Sequence, residues 1–231
     1  MPAQGPFYAT RPEVMQFADD LASRRNLDPA WVRDAIGQAR YNPTVSKLMQ
    51  PPAKAFVKNW RVYRSRFIDP IRIEAGLQFW RANQATLARA EKEYGVPAEI
   101  IVGIIGVETI YGRDTGSFRV MDSLVTLAFD FPSSHPRARE RSEFFKDEIE
   151  QFLTLQNRRG LDPFEARGSY AGAMGMPQFM PSSWVKYAVD FDGDGRIDLW
   201  NSPVDVIGSV ASYFKAFNWQ PGMPAWYPVS F

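Results

Sequence analysis

Cysteine is absent from this chain of 231 residues, and histidine occurs once, at His135. Without thiols there is no disulfide framework and no cysteine-based zinc site. A single histidine and no HExxH run leave a metallohydrolase without ligands. His135, between Ser134 and Pro136, reads as a loop residue. A surplus of charge is missing too: 27 basic residues face 26 acidic ones, for a net charge of +1. That balance removes the electrostatic case for binding nucleic acid or for a polybasic hold on a membrane. No apolar run approaches the ~20 residues that cross a bilayer, so no transmembrane segment is expected. The apolar stretch 97–107 suits a core helix instead. The opening Met-Pro-Ala-Gln-Gly-Pro has no basic, apolar leader character. The chain therefore reads either as cytoplasmic or as one whose leader has been removed. Alternating β patterning is scarce, so the expected fold is mainly α.

What is present is an ordinary globular composition with an aromatic surplus, 17 Phe, 9 Tyr and 7 Trp. Rings of this kind fill cores or stack on the C–H faces of sugars, and composition does not choose. Residues 1–11 read as a flexible lead-in. A helix follows from Pro12, with Val14, Phe17 and Leu21 on one stripe. Asp28 and Pro29 start a second, carrying Trp31, Val32, Ala35 and Ile36. Asn42-Pro43 reads as its end, and a short aromatic-basic helix is expected around Phe56 to Phe67. Ile73, Leu77, Trp80, Leu87 and Tyr94 repeat at heptad spacing and predict one long helix over 72–94, closed by Gly95. Further helices are expected over 122–129 and 142–155, and a Gly/Ala/Met-rich loop over 168–178.

Pro97 opens the most informative helix, which ends at Val107-Glu108-Thr-Ile-Tyr-Gly-Arg113. Ile101, Ile104 and Ile105 precede Glu108 by seven, four and three residues and share its face. A carboxylate on an apolar stripe loses solvation, which favours its protonated form. Such a group donates protons near neutral pH as a general acid must, or else pairs with a nearby arginine.

The run Asp190-Phe-Asp192-Gly-Asp194-Gly195-Arg196-Ile197-Asp198-Leu-Trp-Asn201 follows the EF-hand calcium loop. Asp190, Asp192 and Asp194 occupy positions 1, 3 and 5, and Gly195 the turn at position 6. Arg196 offers a backbone carbonyl at position 7, and Asp198 takes position 9. Asn201 replaces the usual bidentate Glu at position 12. Asp205 either supplies the missing oxygen or serves, with Ser202 and Pro203, to start the next helix. A lone loop of this kind suits a structural Ca²⁺ rather than a sensor, which works in pairs.

Three blocks in order, Val107 to Gly116, Gly168 to Ser183, and the aspartate loop running into Pro203 to Lys215, resemble the lytic murein transglycosylase B family, glycoside hydrolase family 103. The likeness extends from about residue 55 to 219. It implies a lysozyme-like catalytic core at 72–231, with the calcium loop at 190–205, behind an N-terminal helical subdomain at 1–71. The implied activity cleaves the β-1,4 bond between N-acetylmuramic acid and N-acetylglucosamine in peptidoglycan, leaving a 1,6-anhydromuramic acid end. The substrate's own C6 hydroxyl then replaces the second carboxylate that glycosidases usually need, so Glu108 alone serves as acid and base.

The resemblance further implies substrate contacts by Ser169, Gln178, Phe179, Tyr213 and Arg141. Each has a plainer alternative: a turn hydroxyl for Ser169, core packing for Phe179 and Tyr213, pairing with Glu140 or Glu143 for Arg141. Asp114 reads as a surface loop residue. Partners implied are glycan strands and other cell-wall enzymes, in a periplasmic setting, free or lipid-anchored. The family pattern continues beyond Phe231 to a motif with a Tyr-Asn pair, so the chain reads as C-terminally truncated against it. A different function, binding peptidoglycan without turnover as a calcium-stabilised module, is separated from the first by what replacing Glu108 does to lysis.

Overall fold

A computed structural model describes residues 5–52, 59–224 and 228. Eleven helices lie among them, joined by short loops and one two-stranded ribbon. A 3-10 turn at Tyr8–Thr10 leads into α1 (Pro12–Arg25), α2 (Pro29–Gly37), α3 (Pro43–Leu48) and α4 (Trp60–Ser65). Then come α5 (Pro70–Ala82), α6 (Gln84–Tyr94), α7 (Ala98–Thr109), α8 (Val120–Phe129) and α9 (Ala138–Arg159). The last two are α10 (Pro181–Tyr187) and α11 (Pro203–Ala216). Strand β1 (Phe118–Arg119) pairs antiparallel with β2 (Arg167–Gly168).

Proline opens six of these helices, because its missing N–H falls where the helix has no acceptor for it. Asp28, Asn42, Asp69 and Ser202 accept backbone N–H bonds just ahead of four of those prolines. Asn42-Pro43 is therefore a start, not a stop. It opens α3, which the sequence reading left out. Phe56 lies outside the described residues, and α4 is seen from Trp60.

The single helix expected over 72–94 is two. It breaks at Asn83, whose side-chain amide donates to the Phe79 carbonyl at 2.8 Å. The heptad stripe fails with it: Ile73 and Leu77 are exposed, while Ala75 and Gly76 form the buried face of α5. Small residues sit there because the Tyr111 ring comes against them, its hydroxyl 2.5 Å from where a β-carbon on Gly76 would lie.

The core is centred on α8, buried from Val120 to Ala128, against the Phe145, Ile149, Phe152 and Leu153 face of α9. Residues from Tyr8 to Ala211 join one buried cluster, so the N-terminal helices share the core. The expected boundary at 71/72 falls inside α5. Residues 5–11 are not a loose lead-in either. Tyr8 is buried, and its hydroxyl donates to Asp130 Oδ2 at 2.5 Å.

Buried carboxylates tie the layers together. Asp122 on α8 accepts from the Arg40 N–H at 2.9 Å and from the Arg119 guanidinium. Glu150 on α9 accepts from Arg24 and Arg25 of α1. Glu148 accepts from the backbone and hydroxyl of Ser182 at 2.8 and 2.6 Å. Removing either partner would strand a buried polar group, a penalty of about 1–3 kcal/mol.

Candidate active site and metal loop

Glu108 sits in the last turn of α7, and its setting differs from the one the periodicity suggested. Ile101, Val102, Ile105, Gly106 and Thr109 are buried, Ile104 is half-buried, and Glu108 with Val107 is exposed. The carboxyl lies on the flank of the apolar stripe, open to solvent, because the buried face of α7 turns toward Gly106 and Thr109. Surrounding protein nonetheless desolvates it and raises its pKa above the usual glutamate value. The negative end of the α7 dipole acts in the same direction. Among the described residues no side chain pairs with it, so the alternative of a buried Glu–Arg pair is not realised.

The backbone around the carboxyl is fixed from three sides. Ile110, Tyr111 and Gly112 all take positive φ, which turns the chain sharply away from α7. Tyr111 fits beside Gly106 and Gly76, where any β-carbon would collide with its hydroxyl. Arg72 on α5 donates from Nε to the Gly106 carbonyl at 2.8 Å. Thr109 donates its hydroxyl proton to the Met176 carbonyl at 2.8 Å and accepts from the Gly112 N–H at 3.0 Å. Residues Arg72, Thr109 and Met176 were not singled out from sequence. Thr109 and Met176 stood inside two of the blocks that carry the family resemblance, and Arg72 had no sign.

The 110–117 and 168–179 loops are joined directly. Gly116, at φ +90°, lies against the Gly168 carbonyl so closely that only glycine fits. Gln178 donates from Nε2 to the carbonyls of Thr115 and Gly175 at 3.1 and 3.0 Å, which commits its amide protons to holding the two loops. The Ser169 hydroxyl oxygen accepts from the N–H groups of Ala171 and Ala173, a turn-building role that leaves its own proton to donate. Phe179 is buried and packs at 5.4 Å from the Tyr213 ring. It is a core residue and offers no open face for a sugar.

Tyr213 is half-buried in an aromatic cluster, 4.6 Å from Phe217 and 5.3 Å from Tyr187. Arg141 is not brought into hydrogen-bonding contact with any of these residues. Glu140 pairs with Arg137 and Glu143 with Lys146, so neither expected ion pair with Arg141 forms. Asp114 is exposed, its backbone N–H bonded to the Thr109 carbonyl.

In the aspartate loop, Asp190, Asp192 and Asp194 bring carboxylate oxygens within 4.8 Å of one another. Gly195 takes φ +87° at the turn. Asp190 is held in shape by the N–H groups of Gly193, Asp194 and Gly195. Three converging hard oxygen donors fit a calcium ion, whose charge would offset their repulsion. Asp198 stands outside this group, with its oxygens accepting from Trp200, Asn201 and the Asn201 amide.

Asp205 does not complete the ring of ligands. It is buried, and its two oxygens accept from the N–H groups of Phe191 and Asp198, each at 2.8 Å. Its own N–H bonds the Ser202 hydroxyl, the helix-start alternative. The loop also meets the catalytic side of the molecule. Its Leu199 carbonyl accepts from the Met176 N–H at 2.8 Å, and Met176 is the residue whose carbonyl Thr109 holds.

The transglycosylase SLT domain matches residues 9–231. The chain belongs to that family. It is similar to membrane-bound lytic murein transglycosylase B of Escherichia coli K12, at 44% identity over 223 residues. That match covers 93% of this chain and 60% of the relative's length.

Among solved structures, the catenated lytic transglycosylase SltB1 of Pseudomonas aeruginosa superposes with a TM-score of 0.85 at 49% identity, covering 94% of this chain and 69% of that one. The Escherichia coli lytic transglycosylase Slt35 in complex with calcium gives 0.83 at 44% identity, covering 94% and 67%. The mainly helical, lysozyme-like fold is shared with these relatives. No helix among the described residues is long and apolar enough to cross a membrane.

Proposed function

We propose that this chain is a lytic transglycosylase of peptidoglycan. It cleaves the β-1,4 bond between N-acetylmuramic acid and N-acetylglucosamine and leaves a 1,6-anhydromuramic acid end. The reading rests on one observation above others: a solvent-reachable carboxyl at the end of α7 with its pKa raised by desolvation. Protonated, Glu108 donates to the departing glycosidic oxygen. The resulting carboxylate then takes the proton of the C6 hydroxyl as that oxygen bonds the anomeric carbon. One group does both steps because the nucleophile is intramolecular, which gives it a high effective concentration. The Ser169 hydroxyl and Arg141 are assigned to holding the glycan, and Tyr213 to the wall beside it. Gln178 keeps the loops together and reaches the glycan through its amide oxygen.

Calcium is assigned to Asp190, Asp192 and Asp194, with the Arg196 carbonyl and Asp198 completing the set. When bound it supplies charge neutralisation to the loop and no chemistry. The helices before α5 are assigned to supporting the lysozyme-like core, and the working place of the protein to the cell envelope on the periplasmic side.

Mass spectrometry of sacculi digested by this protein tests the activity. Anhydro-ended muropeptides are expected. Reducing ends would make it a muramidase, and no release at all would leave a binding module. With Glu108→Gln, lysis should vanish while sedimentation with sacculi persists; undiminished lysis removes Glu108 from the catalytic role.

A further inference from the structure

Seven arginines, Arg11, Arg24, Arg25, Arg33, Arg72, Arg119 and Arg137, each meet a carboxylate. Three that do not are gathered around one cavity. Arg158 and Arg159, from the end of α9, line a space of about 690 Å³ together with Arg196 of the aspartate loop. Among the described residues none of their guanidinium groups makes a hydrogen bond or ion pair, and no carboxylate lines the cavity.

Arg159 is the most telling of the three. Its Nη1 is buried without any partner, and its guanidinium lies 5.3 Å from the Trp184 ring. Asp198 is near enough to act on its charge, but its hydrogen bonds go to Trp200 and Asn201 and none to Arg159. Arg159 is half-buried in the cavity wall, so it brings a cation without a hydrogen-bonded acceptor to a space that no carboxylate lines, and that combination favours an oxyanion. The rest of the wall is apolar, with Leu155, Val185, Ala188 and Ile197. Inorganic phosphate would satisfy the guanidinium groups and leave that wall bare. A carboxylate carried on small apolar groups satisfies both.

We propose that this cavity binds the carboxylate end of a short apolar peptide, gripped by Arg158, Arg159 and Arg196 and lying along Leu155, Val185 and Ile197. The site is separate from Glu108 and is built partly by the turn of the aspartate loop. Its guanidinium cluster sets the selectivity for charge, and the apolar wall sets the selectivity for small side chains.

Isothermal titration in calcium-containing buffer tests this with three probes: N-acetyl-alanyl-alanine, its C-terminal amide, and inorganic phosphate. The free acid is expected to bind, with the amide and phosphate each weaker by about tenfold or more. Arg158→Gln and Arg196→Gln, at exposed positions that the fold does not need, should each weaken the acid by about tenfold. Glu108→Gln should leave the affinity unchanged. No binding of the acid at millimolar concentration overturns the proposal, as does equal binding of the amide. Phosphate binding as tightly as the peptide would reject the peptide as occupant. Arginine variants that bind like the parent would place the site elsewhere.

Discussion

Glu108 is raised in pKa by desolvation, and that has consequences for both rate and stability. In its proposed role as proton donor it must begin each cycle protonated, so lysis measured against pH should fall as pH rises through its raised pKa. The stability argument has the same sign. Below the usual glutamate value both folded and unfolded chains hold the proton, and the folded state is at its best. As pH climbs past the folded pKa, ionising the desolvated group costs stability. Glu108→Gln should therefore melt at a higher temperature than the parent near pH 8 and at an equal one near pH 4. A lower midpoint at both pH values would mean the carboxyl is needed for the fold. The sequence put this residue on the buried stripe of Ile101, Ile104 and Ile105, but it lies on the exposed flank, because spacing does not fix the rotation of α7. That rotation is set by Thr109 and Gly106 meeting Met176 and Arg72, contacts made between distant parts of the chain.

At the scale of elements, local signals were legible where a short-range bond defines them. Asp28 caps α2 and Ser202 caps α11 as their sequence neighbours announce. Asn42 carries the same Asn-Pro signal and was read as an ending, since nothing local says on which side of it the helix lies. The break at Asn83 had no proline or glycine to mark it. The aspartate loop was legible through Asp194, whereas Asp205 acts through two backbone N–H groups that only the folded loop brings to it. Asp205→Ala should orphan both and lower stability by about 1–3 kcal/mol for each one left buried. Urea unfolding checks the loss, and a calcium titration should weaken in parallel. Calcium itself should raise the thermal midpoint, by about 2.7 kcal/mol of stability at a hundredfold excess over its dissociation constant. A midpoint indifferent to millimolar calcium and to chelator would remove the ion from the loop.

For the whole molecule, what matters is that the first helices are not an appendage. Glu150 on α9 is almost completely buried and receives both Arg24 and Arg25 from α1. Glu150→Ala should destabilise the entire fold by about 1–2 kcal/mol, because the carboxylate is buried while Arg24 and Arg25 are partly exposed and keep water when it is removed. A single, earlier unfolding step confined to the N-terminal part would instead show two independent units. The family resemblance suggested a division at residue 71, and neither it nor composition reports which helices share a core. That sharing rests on apolar side chains such as Val14, Leu21 and Ile36, which join one buried cluster with side chains of α8 and α9.

Met176 joins two regions whose tasks are unrelated. Its amide nitrogen is fastened to Leu199 in the aspartate loop, and its oxygen to Thr109, the residue after Glu108. Stripping the cation should therefore slow turnover even though the ion never touches sugar, because slack in one segment is handed through a single residue to the other. Chelator-treated protein should show a reduced kcat that returns on adding calcium back, with its affinity for intact sacculi largely kept.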